Sequence, residues 1–403
     1  MKILFVCEGF DSVSVVAQPW RHVFEMAKRM KGLGHEVKVL SDLTNDLPRN
    51  ELMKGIPVSR VRKGFFFFDS NKLLEALNKD DVDIVNWFGG PLSALYFSRL
   101  EKSLNQNIVW NMYKGKLTPD DLKNLNLFER MSLLRDVQFI YSIVPDFFIK
   151  RGAMSSRVKS IIVWSNRLKE YLRNIGVSNE RITIISSGVT IESFKPICAS
   201  EVSALKKELG LNSEDPVVLY FGPLSSFRGL DVLVLAMNKV VEQNCNAKLL
   251  VLARDNDVSK MSKFLKLARR QEGIRVVNGI QSQSSIIRFL SIADVVVLPF
   301  KAWPHQEVPL TVLEAMSMGK IVISTSIWPI LEHIEDGKTG ILVPPNDVDQ
   351  LSKKITEVIS NQKGYMHISE AARGYVEEFH DWNVILERTL PLLEESVRAR
   401  APF

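Results

Sequence analysis

Short runs of almost wholly apolar residues alternate along this chain with longer segments in which apolar side chains recur every three or four positions. Residues 3–7, 36–40, 84–87 and 108–111 are runs of the first kind, the pattern of strands buried on both faces. Between the first two, residues 21–31 place Val23, Phe24, Ala27 and Met30 on one helical face, and Gly32 and Gly34 close the segment. This predicts βαβ units, hence a parallel sheet covered by helices.

The pattern restarts in the second half. Residues 217–221, 249–253, 275–277, 295–299 and 321–324 read as strands, with helices over 230–243 and 284–292. Two series of comparable length predict an α/β protein with two Rossmann-like domains facing each other across a cleft. Their junction is expected within 186–213, where Pro196 and weak periodicity interrupt the alternation. The domains expected are 1–190 and 191–379, and the cleft between them is the expected ligand site, because strand ends and helix N-termini of both halves face it.

Composition narrows the class. With 403 residues, 46% hydrophobic and 24% charged, the chain has a globular profile and length for two or three domains of about 150 residues each. Fifty-two basic against forty-six acidic residues leave a net charge of +6, which favours an anionic ligand or surface and does not point to nucleic acid. Cys7, Cys198 and Cys245 are too few and too scattered for a disulfide framework or a cysteine zinc site. Residues 1–7 read as a buried strand rather than a leader, and no run of eighteen apolar residues occurs. The expectation is a cytoplasmic protein, with peripheral membrane contact left open.

Chemistry concentrates in residues 298–351. The run PLTVLEAMSMGKIVIST, followed by EHIEDGKTGILVPPND, resembles the donor-nucleotide segment of the family 4 glycosyltransferases, retaining enzymes of the GT-B fold. The segments ADVVVLPF (293–300), FGPLSSFRGLDVL (221–233), SSGVTIESFKP (186–196) and RHVFEMAKRMKGLGHEVKVLS (21–41) follow that family's order and approximate spacing. As in similar proteins, the last helical segment, around 377–397 with Trp382, is expected to cross back so that about 380–403 packs on the first domain.

The resemblance implies a hexose moved from a nucleotide diphosphate sugar to an acceptor hydroxyl on a glycan, polysaccharide or glycolipid. A helix over 309–318 would turn the free N–H groups of Leu310 and Thr311 and its positive dipole end toward the diphosphate. Arg228 matches the family's diphosphate-binding lysine and adds a fork that fits phosphate. Gly229 would admit close backbone approach, and Glu314 would accept both ribose hydroxyls. With charge neutralised in this way, no divalent metal and no separate cofactor is implied. The loop 278–283 offers Gln281 and Gln283 but no carboxylate for guanine, which tilts the base toward uridine over guanosine.

Four positions depart from the family pattern. The sugar-contacting glutamate is Gln306, with Glu307 beside it; the histidine after an N-domain strand is replaced by Tyr113; the glycine pair before the first helix is Ala17 and Gln18; and a basic position is Pro223. Glutamine gives no negative charge to an oxocarbenium-like transition state, and tyrosine, with a pKa of about 10, is a poor general base. The competing reading is therefore a GT-B homologue that binds or scaffolds without turnover. His305 reads equally as a phosphate or acceptor contact and as a solvated loop residue.

Other signals are weaker. Asp81-Val82-Asp83 reads as a turn entering a strand rather than a metal motif, histidine spacing predicts no structural metal, and no Gly-x-Gly-x-x-Gly fingerprint follows the first strand. Arg60, Arg62 and Lys63 precede Phe65 to Phe68. These read either as a patch that docks on an anionic bilayer or lipid phosphate, or as a strand with buried aromatics.

Overall fold

The computed structural model describes the chain except residues 45–46, 65–67, 80, 134–136, 244–245, 254–257, 269–272, 280–281, 306 and 400–403. Two sheets organise it. The first contains β1 Lys2–Cys7, β2 Glu36–Leu43, β3 Asn50–Met53, β4 Ile56–Arg62, β5 Ile84–Phe88, β6 Asn107–Met112, β7 Val158–Val163 and β8 Ile182–Ile184, in the order β3-β4-β2-β1-β5-β6-β7-β8. The second contains β9 Val217–Gly222, β10 Lys248–Ala253, β11 Ile274–Asn278, β12 Val295–Leu298, β13 Val322–Thr325 and β14 Ile341–Val343, in the order β11-β10-β9-β12-β13-β14. All neighbours are parallel except the β3–β4 hairpin.

Both orders are doubly wound. Chain direction across the sheet reverses between β1 and β5 in the first and between β9 and β12 in the second. Crevices open at such switch points beyond the carboxyl ends of the strands. The residues that follow β1 and β9 therefore occupy the floors of two facing crevices.

Burial explains why the strands read so plainly. In β1, Leu4 and Val6 enter one core while Ile3, Phe5 and Cys7 enter the core on the opposite face, so both faces demand apolar side chains. The second domain has one continuous core around β9, β10, β12 and β13. The β3 edge, NELM, is mostly exposed, which is why no apolar run announces it.

The chain crosses between domains twice, side by side. Val189 N–H donates to His380 O at 2.8 Å, and His380 Nδ1 lies 2.8 Å from Ser187 O. Burial lowers the His380 pKa to about 4, so its ring is neutral and Nδ1–H is the donor. Gly188 has no room for a side chain, since a Cβ there would lie 2.6 Å from the Trp382 ring.

The single helix expected around 377–397 is two helices. The Met366–Phe379 helix stops, and Asp381 then caps the Trp382–Arg398 helix by accepting from Asn383 N–H. Trp382, Ile385, Leu386 and Leu393 of this last helix enter the first domain's core. Among the described residues no helix is long and apolar enough to cross a membrane.

Candidate active site

The second domain's crevice is built around missing side chains. After β9, Gly222 adopts φ +140°, and a Cβ there would lie 2.5 Å from Arg228 Nη1 and 3.7 Å from Thr311 Cγ2. Bare backbone thus brings the guanidinium and the first turn of the Leu310–Ser317 helix to one spot. Gly229 adopts the left-handed φ +67°, and a Cβ there would lie 1.9 Å from Pro299 O, so only glycine allows the turn to meet the end of β12.

Arg228 is held by aromatic rings. Its guanidinium lies 4.9 Å from the Trp303 ring centroid and 5.3 Å from that of Phe300, positions that favour a fixed cation. Trp303 is oriented in turn by Nε1 donating to Glu307 O at 2.8 Å, and His305 packs edge-on against it at 5.1 Å.

The Leu310–Ser317 helix begins at Pro309 with no side-chain cap. Its amino end is therefore open to an anion, with Leu310 and Thr311 in its first turn. The Thr311 hydroxyl is buried and has no hydrogen-bond partner among the described residues. One turn further in, Glu314 is fully buried, and its Oε1 lies 3.3 Å from Arg21 Nη1 of the first domain. A lone buried carboxylate would be costly, and Arg21 offsets that cost across the cleft.

The first domain's crevice has a different chemistry. Glu8 follows β1; burial, together with the adjacent Asp42 charge, pushes its pKa up to about 8 against the pull of Lys63 and Lys114. Asp42 Oδ1 accepts the Gly9 N–H. Tyr113 is buried, packs 5.5 Å from the Trp164 ring, and has its pKa pushed well above 10 chiefly by burial. The charges of Tyr141, Cys7, Glu8 and Glu307 add smaller pushes in the same direction.

Gln18, where the family has glycine, accepts from His22 N–H at 3.3 Å and donates to Ser187 Oγ at the domain crossing. The longer side chain ties the start of the first helix to the domain crossing. Pro223 contributes its carbonyl to the Tyr220 hydroxyl at 2.7 Å. Gln281 and Gln306 lie outside the described residues, as do Phe65, Phe66 and Phe67. Gln283 opens the Gln283–Ile292 helix, and its buried Nε2 has no partner among the described residues.

Of the two readings left open for residues 60–68, burial holds at Arg60 and Phe68. Arg60 cannot face a bilayer: its side chain is fully buried, paired with Glu51 and donating to Pro48 O and Phe10 O. Phe68 is likewise a core residue. In the Asp81-Val82-Asp83 turn, Asp81 pairs with Lys2 Nζ at 2.7 Å and Asp83 accepts the Lys2 N–H at 2.7 Å. Sequence reasoning missed Arg21, Gly222 and Glu8. Their positions after β1, at the start of α1 (Trp20–Gly32) and at the end of β9 were the available signal.

Comparison with known proteins settles the class. Residues 20–193 match the family model Glycosyltransferase Family 4, and residues 201–375 match Glycosyl transferases group 1. The chain is a family 4-like glycosyltransferase. It is 26% identical over 401 residues to an uncharacterised glycosyltransferase of Methanocaldococcus jannaschii, covering 92% of this chain and 94% of that one. A GDP-mannose-dependent monoacylated alpha-(1-6)-phosphatidylinositol monomannoside mannosyltransferase of Corynebacterium glutamicum is 25% identical over 53% of this chain and 56% of its own length. In fold, the glycosyltransferase is similar to a glycosyltransferase of Rickettsia africae (TM-score 0.76, 22% identity, 99% of each chain). It is also similar to HepE of Anabaena in complex with UDP (TM-score 0.77, 17% identity, 98% of this chain and all of that one). The matched ranges leave residues 194–200 between them, and this glycosyltransferase, which acts with nucleotide-sugar donors, has two Rossmann-like domains of the GT-B fold.

Proposed function

We propose that the enzyme transfers a hexose from a nucleotide diphosphate sugar, UDP-linked in preference to GDP-linked, to a hydroxyl of a glycan or glycolipid, with retention of configuration and without a divalent metal. The observation that carries the donor half is the convergence of Gly222, Arg228 and Thr311 on one spot beside buried Glu314. As the glycosidic bond breaks, negative charge develops on the leaving diphosphate. Arg228 and the open helix end at Leu310 and Thr311 are preorganised to stabilise it. Glu314 takes the ribose hydroxyls, with Arg21 as the competing partner that yields or shares. Glu307, and Gln306 beside it in sequence, orient the sugar; Tyr113, protonated throughout the working range, donates to a hydroxyl rather than removing its proton. Gln281 and Gln283 serve the base. Domain closure about the 187–189 and 380–381 crossings excludes water and protects the donor from hydrolysis.

The test is turnover of UDP-glucose and GDP-mannose in EDTA, alone and with glycan and glycolipid acceptors, followed by NMR of the anomeric carbon. An α-linked product or α-hexose from the α-donor supports the reading. An inverted product contradicts retention, and nucleotide binding without turnover on any acceptor favours the scaffold reading.

A further inference from the structure

Lys301 grips the turn that carries Arg228 on both sides. Its backbone N–H donates to Phe227 O at 2.8 Å, just before Arg228, and its Nζ donates to Asp231 Oδ2 at 2.7 Å, in the first turn of the Leu230–Gln243 helix that follows. Two residues on, Trp303 supplies one of the rings packed on the guanidinium. The same Nζ lies 2.9 Å from Glu129 Oε1 of the first domain, and the two side chains are only 8% and 10% exposed. Burial pulls the lysine pKa down, and the hydrogen bonds and charges of Asp231 and Glu129 more than offset that, so the ammonium stays charged.

Glu129 is itself braced. Its Oε2 accepts from Asn126 N–H at 2.9 Å while Asn126 Oδ1 accepts from Glu129 N–H at 3.0 Å, a reciprocal cap at the start of the Leu127–Leu133 helix. Upstream, Arg167 donates to both oxygens of Asp121 at 2.5 and 2.9 Å and ties the same segment to its own domain. Residues 118–130 thus form an arm of the first domain whose carboxylate meets the second domain beside the donor site.

Around the ion pair the contact is small. Leu125 packs with Ala302 and Phe227, and Asn346 Nδ2 donates to Asn124 O at 2.8 Å. Next to them a cavity of about 510 Å³ lies between Asp120 and Lys123 of the arm and Trp328 and Leu331 of the second domain. So small a contact can form and break as the domains move. Breaking a buried pair leaves its charges uncompensated. The hold on Lys301, and through it on the Arg228 turn, therefore differs sharply between closed and open domains.

We propose that Glu129 is a positioning residue of the donor site: acting through Lys301, it sets Arg228 against the leaving diphosphate when the domains close and lets it go when they open. The proposal rests on the glycosyltransferase reading above and gives the first domain a grip on the charge that stabilises the leaving group.

The test compares full-length wild type with Glu129→Ala, Glu129→Gln and Arg130→Ala, by UDP-glucose turnover (transfer or hydrolysis), UDP calorimetry and hydrogen exchange of the UDP complexes. Arg130→Ala is the control, since it removes a hydrogen bond to Leu125 O inside the arm. Glu129→Ala should lower kcat by about tenfold while KM and UDP affinity stay within about threefold, because Trp303 and Phe300 still hold the guanidinium in the ground state. Exchange across residues 226–231 should rise in the same variant. Glu129→Gln, which keeps a capping oxygen but not the charge, should fall between it and wild type, and Arg130→Ala should match wild type. An unchanged kcat in Glu129→Ala, or an equal loss in Arg130→Ala, overturns the proposal. Exchange needs no turnover and separates the two readings. If wild type turns over no UDP-glucose while exchange at 226–231 responds to Glu129→Ala alone, the transfer reading falls and the coupling between domains stands; exchange unmoved in an active enzyme removes the coupling alone.

Discussion

The two switch points share a topology and differ in nearly every side chain. At β9/β12 the crevice is bare glycine backbone, an arginine packed against two aromatic rings and an open helix end, all of them donors to an anion. At β1/β5 the crevice presents Glu8 and Asp42, a buried tyrosine and flanking lysines. The difference teaches that the fold supplies crevices and the residues just past the central strands decide their charge. A diphosphate suits the first crevice, hydroxyl groups suit the second, and the Arg21–Glu314 pair joins them.

The largest effect expected on this contrast comes from that pair. Glu314→Ala strands Arg21 in a buried position and should cost about 3–5 kcal/mol of stability, read by chemical denaturation, with UDP binding lost as well. A near-neutral result would show that Arg21 finds water once the carboxylate is gone. Arg228→Ala should be smaller and purely local. Losing charge-assisted hydrogen bonds worth about 1.5–3 kcal/mol weakens UDP by roughly 10- to 150-fold, measured by calorimetry.

Third comes a pH effect in the opposite crevice. The folded-state pKa of Glu8 is raised to about 8 from 4.5, so the folded state holds a proton that the unfolded state has released. The contribution to stability is full below the unfolded value and is lost as pH rises through about 8. Glu8→Gln should remove that slope, worth on the order of 1 kcal/mol for a partly solvated carboxylate. Denaturation midpoints at pH 6 and 9 would show it, and an unchanged slope would place the titration elsewhere. The smallest effect belongs to the hinge: Gln18→Ala loses the Ser187 and His22 hydrogen bonds and should cost about 1 kcal/mol or less, seen as a small shift in melting temperature without loss of UDP affinity.

Legibility in the sequence followed burial. β1, β9 and β12 announce themselves because both faces are covered; β3 does not, because it is an exposed edge. The break at His380 was hidden because apolar spacing continues on either side, and only Asp381 as a cap marks it. Arg228, Thr311 and Glu314 were readable because each sits beside its partners within a short motif. Arg21 was not: its contact with Glu314 spans 293 positions, and a helical arginine looks the same whether it faces solvent or a buried carboxylate. Glu8 was read only as the lack of a glycine fingerprint, since its pKa depends on Asp42 and Lys63, which reach it only through the folded sheet.

The most direct measurement is calorimetric titration of UDP and GDP, in EDTA, into the wild-type protein and the Arg228→Ala variant. The account predicts micromolar UDP binding that needs no metal, exceeds that of GDP and collapses in the variant. UDP binding unchanged by Arg228→Ala, or absent from folded wild-type protein, would contradict a donor site at the β9/β12 crevice.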